Sequence, residues 1–447
     1  MSERSFRIIA VAALFHLWSA TSARTQQADR LSLADALAYA LDHNPQMAAA
    51  VARTDRAGAD VALARSGTEA VFTLGASGRL QGPLQEFAIP VGEGRTININ
   101  RALQGSLSAG VVWPLWTGGR VAAATGAARA QFDAAEADLQ QATEQLLYEV
   151  GIAYYRVLSA RSARAEAQAA LKRTEENLRA AQVIRTAGAL TGATLSGAAA
   201  AHRRDEQALA AAESGIVDAE QEFNRLLGRE LHAHVELVDE PIALDAPQDS
   251  AEATSIALAT RPELLALEYR REAARKAIAQ ARAQRRPIIS TMAEAALQSP
   301  TDVAEAHQEF LGLQFSWPIL NYGGPRAQER RARASVRELE LTKRDLEAVV
   351  VFQVGESARR VGDARETVAA ARETLRAAEA AAREARVAYQ AGAATRQRLV
   401  TAQSALGEAQ ARNAQADDAL STALLGRARA LGLIRAMFLA RTEEAGR

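Results

Sequence analysis

The sequence predicts a mainly α-helical fold with a small β part, built from one helix–strand–strand–helix unit that is used twice. Three observations carry this. The string GVVWPLWTGGRVAAA (residues 110–124) has a counterpart in QFSWPILNYGGPRAQ (residues 314–328). Each passes from a strand-like run through Trp-Pro and glycine into a long alanine-rich stretch. Proline is then absent from Leu115 to Glu240, and again after Pro325, which leaves room for helices far beyond globular length.

The repeat register is fixed by Trp113-Pro114 and Trp317-Pro318. Held without a gap, it brings Gly119 onto Gly323, Val150-Gly151 onto Val354-Gly355 and Leu227-Gly228 onto Leu431-Gly432. The front of each half matches in a second register, with Pro45 on Pro262 and Ala64-Arg65 on Ala281-Arg282. The two registers differ, so the first half carries a longer segment between Arg65 and Trp113. Aligned glycines over such a span mark a duplication.

The elements follow in order. Ser32 with Asp35, and Asp249 with Glu252, are N-cap pairs for the first helix of each half. Asn44-Pro45 and Arg261-Pro262 interrupt those helices, because proline suits a helix start and breaks an interior. Strands are expected at about 71–80 and 104–113, and at about 288–298 and 309–317. In each, apolar and polar side chains alternate: Phe72, Leu74 and Ala76 against Thr73, Ser77 and Arg79, and Leu311, Leu313, Phe315 and Trp317 against Gly312, Gln314 and Ser316. Runs of about ten residues suit a tilted strand across a bilayer, although alternation also fits a half-buried soluble sheet. Trp113 and Trp317 stand where an interfacial aromatic girdle would be. Residues Gln81–Arg101 and Ser299–Gln308 read as surface loops.

Trp113, Pro114, Gly118 and Gly119, with Trp317, Pro318, Gly323 and Gly324, are the strand-to-helix junctions. Proline is expected to end the strand, since it cannot donate to the ladder. The glycines then let the chain turn into the helix. Long helices are expected over about 120–186 and 326–390, each roughly 100 Å at about 1.5 Å per residue. Gly188 and Gly392 sit where each must reverse into return helices at about 191–228 and 394–431. Residues 24–230 are thus the first repeat, 231–250 an inter-repeat segment, 251–432 the second repeat and 433–447 a tail.

Composition narrows the function. Lys and Arg together number 53, and so do Asp and Glu, which argues against a nucleic-acid partner. Cysteine is absent, so thiol chemistry, Cys-zinc sites and a lipid anchor on cysteine are excluded. Arg4 and Arg7, the apolar run Ile8–Leu17 and small residues Ser19–Ala23 read as an export signal over residues 1–23. No later apolar stretch approaches the ~20 residues of a spanning helix, so a membrane-embedded chain would have to span as a β-barrel. His232-Ala233-His234 lacks a third ligand and reads as a surface pair. The Gly-Gly pairs lack the Lys-Ser/Thr of a phosphate loop, and no nucleophile elbow occurs. The basic pairs Arg270-Arg271 and Arg330-Arg331 read as solvated or paired helix faces, with Glu272 and Glu329 beside them. No catalytic residue, metal site or cofactor is assigned.

The ordered set LSLADALAYALDHNPQMAAA (31–50), ATSIALATRPELLALEYR (253–270), the two junctions, and the segments RTAGALTGATLSGAAAA and YQAGAATRQRLVTAQSAL resembles the outer-membrane efflux proteins of the TolC type. The resemblance covers about Leu31 to Leu433. It implies a homotrimer in which each protomer gives four strands to one twelve-stranded β-barrel, set in the lipid bilayer of a Gram-negative outer membrane. Below it, a long helical barrel extends into the periplasm, and residues 231–250 and the tail join an equatorial region. The helix tips, here Gly188, Ala189, Leu190, Gly392 and Ala393, would dock a periplasmic adaptor (membrane fusion) protein bound to an inner-membrane pump of the RND or ABC type. The implied work is passive conduction of small molecules, with type I protein secretion as the alternative. A non-pore periplasmic coiled-coil scaffold is a more distant one, disfavoured by the four amphipathic strands.

Two departures from the family pattern matter. Its tips often read Gly-Leu, whereas Ala189 and Ala393 follow the glycines here. Well-known members carry acidic residues after the second tip glycine, forming a narrow cation-preferring entrance. Here the matching positions are Arg398 and Thr401, with Arg396 nearby. The expectation is an entrance without an acidic ring that favours anionic solutes. The alternative is that these arginines pair with carboxylates of neighbouring helices.

Overall fold

The computed structural model describes residues 30–80, 82, 86–89, 95–98, 102–187, 191–240, 242, 244, 247, 249–299, 305–320 and 323–438. The expected signal segment, the tip residues Gly188, Ala189 and Leu190, and residues 439–447 of the tail lie outside the described residues.

The first repeat runs α1 (Leu33–His43), α2 (Pro45–Ser66), β1 (Val71–Leu80), β2 (Glu86–Ile89), β3 (Arg95–Asn98), β4 (Leu103–Trp116), α3 (Arg120–Thr186) and α4 (Gly192–Leu227). The second runs α5 (Ser250–Thr260), α6 (Pro262–Ala283), β5 (Ile288–Gln298), β6 (His307–Ser316), α7 (Gly324–Gln390) and α8 (Arg396–Leu431). Both long helices, α3 and α7, have 67 residues.

Local chemistry sets these boundaries. Ser32 Oγ accepts from the Asp35 amide (3.1 Å) and donates to its carboxylate (2.6 Å). Asn44 Oδ1 accepts from the Gln46 amide (2.7 Å) while Pro45 opens α2. Asp249 accepts from the amides of Ala251 and Glu252. Each supplies a partner for amides that a helix start leaves unpaired. The end of α7 is a Schellman turn. Gly392 sits at φ 70° and donates to Tyr389 O, while Ala393 donates to Ala388 O.

The strands β1, β4, β5 and β6 form one antiparallel sheet in the order β1-β4-β5-β6, and β2 pairs with β3. Two expectations are corrected. The segment read as the loop Gln81–Arg101 contains the β2–β3 hairpin. Strand β4 is not ended by its proline and runs through Pro114 to Trp116. Pairing with β1 has stopped at Val112, and the ladder to β5 shifts register between Pro114 and Trp116. Such an irregularity accommodates a residue without an N–H. In the second repeat β6 does end at Ser316, before Trp317-Pro318.

The chain forms two compact units. One gathers Met1–Tyr39, Ala153–Pro241 and Ala377–Asp418. Residues 231–240 have almost no regular structure, so side chains satisfy the backbone. Leu31 bridges Leu237 in parallel. The buried Tyr154 reaches the carbonyls of Leu31 and Val238, and Tyr155 donates to Glu240 O (2.6 Å). Asn224 donates to Leu231 O and Ala233 O. The Tyr154 ring also meets Phe223 edge-on at 6.0 Å.

The second unit gathers Ala40–Ile152, Ile242–Arg376 and Ala419–Arg447, and holds the sheet. Ala253, Ala257, Leu264, Val350, Val354 and Leu431 form a buried cluster. Around it, the last carbonyls of α8 are capped by the second repeat's own start. Thr260 Oγ1 donates to Leu431 O (2.6 Å) and Arg261 Nε to Ala430 O (3.0 Å). Arg427, also buried, donates to Val354 O and Pro247 O. Small residues set close helix approach, since a Cβ on Gly151 would lie 2.8 Å from Leu425 Cδ1.

A half-buried carboxyl, Glu144, and a buried one, Asp418, make stability depend on pH. Burial pushes Glu144 up to about 7, aided by Glu263 and opposed by Arg261, Arg435 and Arg429. Burial, then Asp239 and Asp417, pushes Asp418 up to about 7. The folded chain therefore holds protons that the unfolded chain has released. Stability is fully present below the ordinary carboxylate range and is lost as pH rises through about 7. Denaturant midpoints should fall over that window, and Glu144→Gln with Asp418→Asn should flatten the fall. Equal slopes in variant and parent would contradict the assignment. A second prediction concerns Gly118, at φ 65°, where a Cβ would meet Arg286 Cβ at 2.8 Å and Pro287 O at 3.0 Å. Gly118→Ala should cost about 1–3 kcal/mol by thermal unfolding. Gly324→Ala, in open space at the start of α7, should be near neutral.

Candidate functional site

Residues directly opposite in an antiparallel ladder share a face. Phe72 therefore shares one with Val111, Ala293 and Leu311, and Leu74 with Ala109 and Ala295. Trp113 lies beside Thr291 and Leu313 on that face. Glu309 and His307 interrupt it at the start of β6. The other face carries Thr73, Ser77, Arg79, Gln104, Ser106, Ser108, Glu294 and Gln314, with Val71, Val112, Met292 and Phe310 as apolar exceptions. The apolar face is uncovered within the protomer: Phe72 and Leu311 are each 80% exposed. So many exposed large apolar residues mark a surface made for contact with something other than water. Among the described residues, the outer strands β1 and β6 each pair on one side only, which leaves a row of backbone donors and acceptors on each free edge.

At the junctions the two repeats solve one problem in one way. Trp113 Nε1 donates to Thr68 O (3.2 Å), and Trp317 Nε1 donates to Arg285 O (3.1 Å). Thr68 and Arg285 are equivalent positions in the front register. The acceptor is a main-chain carbonyl, so its side chain is free to differ. Each indole thus ties the end of one strand to the turn that precedes its neighbour. Gly118, Gly119 and Gly323 have φ of 65°, 83° and 91°. Gly324 is an ordinary first residue of α7, so only three of the four glycines serve the turn through positive φ.

The tip does not gather its three candidate pore residues. Arg396, Arg398 and Thr401 are all exposed on the first turns of α8. Arg396 reaches Glu176 on α3 (3.4 Å), whereas Arg398 reaches Glu384 on α7 (3.2 Å). The arginines point apart and each has a carboxylate partner. This is the pairing with carboxylates of neighbouring helices that helix-surface charge usually takes.

The basic pairs are solvated or paired helix faces: Arg330 and Arg331 are exposed, and Arg270 and Arg271 are paired. Glu329 serves Arg282, Arg285 and Arg333, at 2.8–2.9 Å, rather than the adjacent Arg330-Arg331. These guanidiniums hold its carboxyl below the usual range, the Arg282 hydrogen bond contributing most. Arg270 pairs with Asp138, and Arg271 with Glu268. His234 lies 3.6 Å from Glu236, and no His/Cys/Asp/Glu group suited to a metal occurs among the described residues. Sequence reasoning missed Arg261 and Arg427, because a lone arginine on a helix reads as surface charge. Arg261 stands beside Pro262 at a helix break, the one signal that could have pointed to a capping role.

A model of the outer membrane efflux protein family matches residues 36–229 and 253–433, one segment in each repeat. No curated protein matches the sequence. Among solved structures, the Campylobacter jejuni CmeC outer membrane channel is 16% identical with a TM-score of 0.73, over 90% of this chain and 85% of that one. The open state of the Neisseria gonorrhoeae MtrE outer membrane channel is 19% identical with a TM-score of 0.70, over 90% and 89%. The Vibrio cholerae outer membrane protein VceC is 19% identical with a TM-score of 0.69, over 90% and 96%. The fold is shared with these channels, and the family match covers both repeats. The chain belongs to the outer membrane efflux protein family.

Proposed function

We propose that three copies of this chain close their sheets into one twelve-stranded barrel in the outer membrane, as the conduit of a tripartite export system. The observation that carries this is the open four-stranded sheet, with one exposed apolar face, one polar face and two free edges. No water is available in a bilayer core to satisfy those edges, so the sheet must be completed. Four strands are too few to close alone, while twelve enclose a polar lumen. Exposed Leu341, Phe352 and Val387 on α7 add apolar surface for lateral contact with neighbouring helices. The role is passive: a periplasmic adaptor docks at the helix tips and an inner-membrane pump supplies the energy. Small molecules are the favoured cargo, in keeping with the efflux description of the family.

The test is fractionation and mass. The protein should sediment with the outer membrane and emerge in mild detergent at three protomer masses. A water-soluble monomer or dimer would replace the conduit with a coiled-coil scaffold. The tip gives a second prediction. With Arg398 paired to Glu384, bilayer recordings of Arg398→Glu should shift ion preference toward cations, because the variant places two carboxylates together at the entrance. An unchanged preference would remove Arg398 from the pore entrance.

A further inference from the structure

The junction of the second repeat is strongly basic and that of the first is not. Residues 281–287 and 325–337 hold eight arginines and one glutamate, Glu329. The equivalent stretches of the first repeat, 64–70 and 121–133, hold Arg65 and Arg129 against Glu69 and Asp133. Both junctions make the same Trp-to-carbonyl bond. That bond therefore does not require the extra charge.

The arginines are arranged as a surface. Arg326, Arg330, Arg333 and Arg337 fall at i, i+4, i+7 and i+11 of α7, one stripe along three turns. The end of α6 adds Arg282 and Arg285, which share Glu329 with Arg333. One carboxylate among three guanidiniums leaves a net positive cluster. Arg326, Arg330, Arg331 and Arg337 are exposed and find no ion-pair partner among the described residues. Trp317 bonds Arg285 O at the edge of the patch, and Ile319 and Leu320 follow it in sequence, 76% and 84% exposed. Charge and exposed apolar surface adjoin where the strands end.

We propose that this patch docks anionic phospholipid headgroups of the leaflet that meets the helical end of the sheet. The inference rests on the membrane insertion proposed above. Guanidinium forks match a phosphodiester's oxygens, and clusters of four to eight basic residues beside a membrane segment select anionic lipid. The adjoining Ile319 and Leu320 favour an amphiphile over free phosphate, because they lie where acyl chains begin. The patch gives the chain a second hold on the bilayer besides the barrel.

The experiment uses the full-length protein in detergent, given equal phosphatidylglycerol and phosphatidylcholine, with retained lipid counted by native mass spectrometry. Phosphatidylglycerol should be retained about tenfold over phosphatidylcholine, and the preference should fall as salt rises. The combined variant Arg326→Gln, Arg330→Gln, Arg331→Gln and Arg337→Gln, which leaves the Glu329 cluster intact, should lose it. Arg129→Gln in the first repeat should keep it. If the combined variant fails to assemble, the four lysine replacements should retain the preference, and the salt series on the parent protein decides. Equal retention of both lipids, a salt-independent preference, a preference kept by the glutamine variant, or displacement by excess inorganic phosphate would each overturn the proposal. Equal retention by a trimer extracted from the outer membrane would overturn it and leave the conduit standing.

Discussion

An unpaired sheet edge cannot persist in hydrocarbon, and that constraint organises the protein. Each protomer carries β1 and β6 as free edges and an apolar face with no cover of its own. In water such a sheet would be an aggregation hazard. In a bilayer the exposed apolar face is an asset and the edges become the driving force for assembly. The long helices then need no core of their own beyond alanine-rich seams, because their exposed Leu341, Phe352 and Val387 can be covered by neighbours.

The second constraint is the change of direction from strand to helix. It is met twice by the same device: glycine at positive φ, then a tryptophan indole bonded to the carbonyl that precedes the paired strand. The device uses main-chain acceptors, so the duplicated copies were free to diverge around it. Thr68 and Arg285 occupy equivalent positions and both serve as acceptors. One junction is near neutral and the other rich in arginine, with the bond kept in both.

Much of this was legible in sequence. Gly119 and Gly323, Trp113 and Trp317, and the proline-free stretches identify the repeat, the junctions and the long helices, because each follows from backbone chemistry that a residue type dictates. The misreadings share a physical origin. Pro114 was expected to end its strand, but tertiary pairing absorbed it at an irregularity in the β4–β5 ladder. Glu329 adjoins Arg330 and Arg331 in sequence, but a helix sends adjacent residues apart, and its partners come from α6 and from one turn ahead. Arg396 and Arg398, two residues apart on α8, diverge for the same reason. Arg261 and Arg427 were invisible because their role depends on which carbonyls the fold leaves unpaired at helix ends.

The central claim is that β1 of one protomer completes its ladder on β6 of another. The chain has no cysteine, so introduced pairs report cleanly. Within one protomer two strands separate β1 from β6, about 14 Å at the usual strand spacing, too far for a disulfide. The direct measurement is a disulfide panel in outer membranes, pairing a cysteine at Thr73, Gly75 or Ser77 with one at Phe310, Gly312 or Gln314. The account predicts that at least one register links protomers into covalent dimers and trimers on a non-reducing gel. Monomers alone across every register, with both cysteines accessible to a membrane-impermeant thiol reagent, would contradict it.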